Sequence, residues 1–129
     1  MSLNRIISLF QHLMHRYRLS NLKLKSKGKN VQILNGFTFH NSENITIGSN
    51  VYIGPHASIS AIGGLIIGNG TIIGPRLTVY TANHRFRDAH AIPYDDMVIT
   101  ERVEIGENVW IGGNVIIVPG VKIGGGCIV

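Results

Sequence analysis

A chain of 129 residues makes one domain, with 44% hydrophobic content, 15% charge and 16 glycines that suit frequent corners better than long helices. Its net charge of +5 is unevenly spread: residues 1–42 hold Arg5, Arg16, Arg18, Lys23, Lys25, Lys27 and Lys29 with no acid, a balance of +7. Residues 43–129 hold five bases and seven acids, a balance of −2, so the basic character belongs to one end and not to the body. One cysteine, Cys127, excludes an intramolecular disulfide and favours a reducing compartment. No run of about 18 apolar residues is present, so nothing is expected to span a membrane. The apolar stretch from Ile6 to Met14 is broken by Gln11 and His12 and lacks a small-residue cleavage site after it, unlike a secretory signal.

In chain order, residues 3–18 read as an amphipathic helix. Leu3, Ile6, Ile7, Phe10, Leu13, Met14 and Tyr17 fall on one face at spacings of three and four, with Arg5, Gln11, His12, Arg16 and Arg18 opposite. Residues 19–30 form a basic connector of weak strand character, and residues 1–30 are set apart from the rest. This segment has three readings: a solvated arm packing one helix face on the body, peripheral contact with an anionic membrane surface, and nucleic-acid binding. The last is disfavoured because no recognised nucleic-acid module accompanies the charge.

From Val31 to Val129 the pattern changes. Val31/Ile33 and Phe37/Phe39 open it irregularly, and an aliphatic residue usually followed by Gly then recurs every six positions. The series runs Ile47, Ile53, Ile59, then Ile67, Ile73, Val79, then Ile105, Ile111, Ile117, Ile123, Val129. Two residues before each stands a second apolar or small residue, among them Ile45, Val51, Leu65, Thr71, Val103, Val109 and Cys127. A helical stripe repeats near 3.6 and a strand near 2, so neither sustains a period of six. Short strands separated by tight corners do, with three hexads closing one triangular coil of a parallel β-helix. Two-residue insertions precede Ile45 and, near Ala61–Gly64, Ile67. About three and a half coils are expected, with Cys127 packed inward and Val129 stopping partway through a coil that a further C-terminal coil would complete.

The repeat breaks once. Val79 to Ile105 spans one hexad plus 20 residues, extruding a loop at about 83–102 that opens with Thr81-Ala82-Asn83-His84. Together with Val109-Trp110-Ile111-Gly112 and Val118-Pro119-Gly120-Val121, this run resembles the hexapeptide-repeat acyltransferases. These have a left-handed β-helix, and the likeness is greatest to sugar O-acetyltransferases of the galactoside and maltose type. The resemblance implies an all-β, single-stranded left-handed parallel β-helix with an N-terminal α-helix and one extruded loop. It also implies acetyl-CoA as co-substrate, a sugar or glycan acceptor, and a homotrimer with each site in a cleft between neighbouring β-helices.

Direct acyl transfer from a thioester to a hydroxyl needs a base, oxyanion donors and a slot for the pantetheine arm. His84 is the candidate base, because imidazole titrates near neutrality and a coil opening into a loop is where function tends to sit. The alternative is an ordinary loop histidine. Asn83, an amide where the pattern asks for a small inward residue, binds substrate or braces the loop. Trp110 faces outward and covers either a neighbouring surface or the cofactor arm; the resemblance places it beside the coenzyme and acetyl group. By the same resemblance Gly113 offers its N–H to the thioester carbonyl, with a plain corner as the alternative, and Gly125 flanks the coenzyme. Tyr94 and Asp95 are candidate acceptor contacts. The family also uses an asparagine one coil earlier, but the matching position, 30 residues before His84, is Gly54, so the acceptor is expected to differ from a galactoside. The histidines do not match the zinc pattern of hexapeptide-repeat carbonic anhydrases, and no metal is expected. The sequence thus predicts a cytoplasmic acetyl-CoA-dependent O-acetyltransferase acting on a sugar of a surface polysaccharide or its precursor. An N-acetyltransferase, a xenobiotic acetyltransferase and a non-catalytic scaffold of the same fold stand as alternatives.

Overall fold

The computed structural model describes residues 2–129. It begins with helix α1 (Leu3–Ser20), two residues longer than the periodicity predicts. The strands then climb a triangular prism level by level. The first level holds β1 (Ser26–Lys27), β2 (Gln32–Ile33) and β3 (Thr38–His40). A 3₁₀ turn at Ser42–Asn44 leads to β4 (Ile45–Ile47), β5 (Tyr52–Ile53) and β6 (Ser58–Ser60), and then come β7 (Leu65–Ile67), β8 (Ile72–Ile73) and β9 (Thr78–Tyr80). An arm follows, built from β10 (Ala82–His84) and β11 (Val98–Thr100). The fourth level holds β12 (Val103–Ile105), β13 (Trp110–Ile111) and β14 (Ile116–Ile117), and β15 (Lys122–Ile123) starts a fifth.

The faces of the prism are three parallel sheets, ordered β1-β4-β7-β12-β15, β13-β8-β5-β2 and β14-β9-β6-β3. This is the parallel β-helix that the hexad implies, left-handed as the family likeness implies, and of about five turns and not three and a half. Part of the extra height comes from below, where the basic connector supplies β1, paired in register with β4 through Lys27 and Ile47. Register explains the repeat directly. Ile33, Ile53, Ile73 and Ile111 stack in one column, Phe39, Ile59, Val79 and Ile117 in the next, and Ile47, Ile67, Ile105 and Ile123 in the third. Most of these side chains are fully buried, each contributing about 1.5–3 kcal/mol of transfer free energy. Between levels the backbone is paired at the corners too, as in Asn50 N–H to Lys29 O at 2.8 Å and Gly70 N–H to Ser49 O at 2.9 Å.

The corners are tight because one residue in each adopts the left-handed conformation. Asn30, Asn50, Gly70, Asn108 and Gly126 do so in one column, and Gly36, His56, Arg76 and Asn114 in another. Asn and Gly tolerate this region best, which accounts for their spacing in the sequence. Thr71 takes an inward position usually held by an aliphatic residue. Its hydroxyl donates to Gly106 O at 2.9 Å and accepts from Val109 N–H at 3.2 Å, so the buried oxygen is satisfied.

Two expectations at the ends are corrected. Cys127 is exposed and not packed, because it sits on the fifth level with no coil above it. The apolar face of α1 does not pack on the solenoid, and no residue of the helix is buried. Instead the helix leans on the first level through His15 and Arg18, whose guanidinium donates to Phe37 O at 2.7 Å and lies over the Phe37 ring. Leu19, Leu22 and Leu24 close the bottom of the core beneath Ile33.

Candidate functional site

The predicted loop is an ordered ribbon. After β9 the chain turns one corner, where Thr81 is fully buried, and leaves the prism. The Thr81 hydroxyl donates to Ser60 O at 2.9 Å and accepts from Gly63 N–H at 2.8 Å, and its carbonyl accepts Glu101 N–H at 2.9 Å. Outgoing and returning strands are thus fastened at one residue. β10 and β11 pair antiparallel, with Asn83 opposite Ile99 and His84 opposite Val98. The register corrects one reading of Asn83: it stands on the exposed arm and not at an inward position of the coil.

Further out, Asp95 is a buckle. Its carboxylate accepts from the Arg85 guanidinium, from His90 N–H at 3.1 Å and from Met97 N–H at 3.1 Å. The Arg85 hydrogen bond, and then the His90 N–H, hold its pKa down to about 2, against an opposing push from partial burial. Asp95 is therefore occupied in shaping the arm. Tyr94 beside it lays its ring on the His84 imidazole, with centroids 4.0 Å apart and planes 18° from parallel. This stack fixes one face of His84 and leaves the residue bordering a groove of about 430 Å³. The groove is lined by Asn83, His84, Phe86, Arg87, Ile99, Glu101, Val118 and Pro119, so the arm and the Val118-Pro119 corner above it form one wall each. The arm brings His84 and Tyr94 together, and Asn83 lines the same groove as His84. The Thr81 staple and the Arg85–Asp95 buckle were not anticipated; the Val98-Ile99-Thr100 run, rich in β-branched residues, is the signal that could have shown the returning strand.

The remaining candidates lie elsewhere on the same chain. Trp110 is half-exposed on the outside of β13, directly above Ile72 and Tyr52 in the same sheet. Gly113 lies at the next corner, between β13 and β14, across a full face of the prism from the arm. Among the described residues no acceptor meets the Gly113 N–H. Proline occupies the same corner in the two levels beneath, Pro55 and Pro75, each followed by a left-handed residue just as Gly113 is followed by Asn114. Gly125 sits at the corner between the first and second faces, above Glu107. Gly54 is buried where a Cβ would meet the Gly74 carbonyl carbon at 2.7 Å, so its corner admits no side chain. Among the described residues no three His, Cys, Asp or Glu side chains cluster as metal ligands, and no helix is long and apolar enough to cross a membrane.

No family model matches the chain. Relatives and a solved structure do. Nodulation protein L of Rhizobium meliloti (strain 1021) is 40% identical over 78 residues, which cover 60% of this chain and 42% of the relative. Galactoside O-acetyltransferase of Escherichia coli (strain K12) is 32% identical over 97 residues, 75% of this chain and 47% of the relative. The chain thus spans less than half the length of either. A hexapeptide-repeat-containing acetyltransferase of Vibrio cholerae O1 biovar eltor, solved in complex with acetyl coenzyme A, superposes with a TM-score of 0.75 at 28% identity. That match covers 88% of this chain and 61% of the other. By its repeat, its fold and these relatives, the chain is similar to the hexapeptide-repeat acetyltransferases.

Proposed function

We propose that this protein transfers an acetyl group from acetyl-CoA to a sugar hydroxyl, with His84 as general base. The observation that carries the reading is His84 itself: a histidine at the root of an arm extruded from an otherwise unbroken coil, held by Tyr94 and bordering an open groove. Neutral imidazole takes the hydroxyl proton as the sugar oxygen attacks the thioester carbonyl. A carbon–oxygen bond forms, the carbonyl electrons move onto oxygen, and the Gly113 N–H stabilises that oxyanion. Collapse breaks the carbon–sulfur bond, and the imidazolium returns its proton to the departing thiolate. Atoms balance with no covalent enzyme intermediate. The unpaired N–H of Gly113 and the exposed ring of Trp110 suit a thioester and a pantetheine arm respectively.

His84 and Gly113 stand at opposite edges of one face of a single prism, and Trp110 lies round the corner on the next. A complete site therefore calls for a second copy, which supports the homotrimer with shared clefts that the family likeness suggests. Asn83, lining the groove, is the candidate acceptor contact, whereas Tyr94 serves His84 and Asp95 serves the arm. We propose the cytoplasm as the compartment, which a single cysteine favours, and a precursor of a surface polysaccharide as the acceptor. The test is release of coenzyme A thiol from acetyl-CoA with a panel of sugars, nucleotide sugars and amino sugars, followed by product mass and alkali lability. An alkali-labile ester supports the reading. An amide product would make the protein an N-acetyltransferase, and no release with any acceptor would leave the fold as a scaffold.

A further inference from the structure

An amphipathic helix normally buries its apolar face on the body that it belongs to; α1 does the opposite. The stripe that touches the solenoid is His15, Arg18 and Leu19, with Arg18 donating to Phe37 O and His15 edge-on to the Phe37 ring, 6.0 Å between centroids. At 100° per residue, the stripe of Leu3, Ile6, Phe10, Leu13 and Tyr17 is centred roughly 150° away, with Phe10 at its edge bordering the crevice against Asn35 and Gly36. Those side chains are 70%, 47%, 63%, 53% and 64% exposed. A face of this size, left in water on an 18-residue helix, marks an interaction surface.

Charge identifies what covers it. Arg5 and Arg16 are exposed on the flank of α1, roughly 110° round from the centre of this stripe, and the first level of the solenoid adds the exposed Lys25, Lys27 and Lys29 in and around edge strand β1. No acid occurs in the first 42 residues. A second copy meeting this one through the same surface offers no charge complementarity, because that surface carries bases and no acid. We infer that α1 and the lysines of the first level form a peripheral docking surface for an anionic lipid bilayer. The helix lies in the interface with its apolar stripe among the acyl chains and its basic residues at the headgroups. The rest of the prism, with its arm and groove, stays in water. This inference is independent of the proposed acetyl transfer.

The experiment is sedimentation of the full chain with vesicles of phosphatidylcholine containing phosphatidylglycerol, against phosphatidylcholine alone. Two variants accompany it, Phe10→Glu/Leu13→Glu and Lys25→Gln/Lys27→Gln/Lys29→Gln. All five side chains are exposed, so both variants keep the fold, which circular dichroism checks. The wild-type chain should bind the anionic vesicles and release as salt is raised. The apolar variant should bind at least about tenfold more weakly, and the lysine variant should bind more weakly with a flatter salt dependence. Failure to bind anionic vesicles at low salt, or equal binding by wild type and the apolar variant, would overturn the inference. So would a lower molar mass of the apolar variant in lipid-free solution with no vesicle binding by the wild type, since the face would then join copies of the chain.

Discussion

The Gly113 N–H can be deleted without disturbing its corner, because the fold has already placed proline there twice. Pro55 and Pro75 lie directly beneath Gly113, each preceded by glycine and followed by a residue with φ near 60°, as Gly112 and Asn114 flank Gly113. Proline's fixed φ suits this turn, and no hydrogen bond within the chain is lost, since the N–H meets no acceptor among the described residues. Gly113→Pro should therefore leave the melting temperature nearly unchanged. If the N–H stabilises the oxyanion, its loss costs turnover about 10²–10³-fold, which is roughly 2.7–4 kcal/mol of transition-state stabilisation. Gly113→Ala is the control: it retains the N–H, and its Cβ would meet Pro75 Cγ at 3.4 Å, an ordinary contact. Steady-state turnover with acetyl-CoA and a verified acceptor, alongside coenzyme A affinity, reads both variants. Full activity of Gly113→Pro, or an equal loss in Gly113→Ala, would refute the donor role.

Three further outcomes are expected. Tyr94→Ala should lower kcat by roughly 2–13-fold, the equivalent of the 0.5–1.5 kcal/mol typical of an aromatic pair, and should change the pH–rate profile, whereas Tyr94→Phe restores both. Asp95 has its pKa depressed to about 2, so its contribution to arm order is complete above its unfolded value near pH 4 and is lost as pH falls towards 2. Limited proteolysis of the arm by an acid protease should rise through that window in wild type, and Asp95→Asn should be cleaved readily even at pH 5. In the core, Ile73→Ala should cost about 2–5 kcal/mol by denaturant unfolding, because Ile73 is fully buried between levels. Ile123→Ala, on the half-open fifth level, should cost about 1 kcal/mol or less.

The solenoid was legible because each inward residue repeats the environment of the one below, so a period of six in the sequence is the geometry itself. Ile53, Ile73 and Ile111 could be aligned from the chain alone. The height of the prism was harder to read, since Ser26–Lys27 has almost no apolar signature; its pairing comes from the backbone ladder to β4. Cys127 misled for the converse reason: the hexad assigns it an inward direction, but burial depends on a neighbouring level. At the site, His84 was visible as a break in the period, as was the extent of the arm. The Tyr94 stack and the Asp95 buckle were not, because contacts across a ribbon depend on register, and the returning strand carries no glycine-bounded alternation. The direction of the α1 apolar face also escaped the pattern. Helical periodicity shows that a face exists, while its orientation is set by the Arg18 and His15 contacts with Phe37.

The most direct measurement compares turnover and acetyl-CoA affinity of the wild type and His84→Ala with the same acceptor. His84 is exposed on the arm, so the variant keeps the buried columns of the prism intact. Turnover at saturating substrates should fall by about 10²–10⁴-fold, with acetyl-CoA binding nearly unchanged and the melting temperature preserved. A folded His84→Ala variant that retains near wild-type turnover would contradict the assignment of His84 as the base.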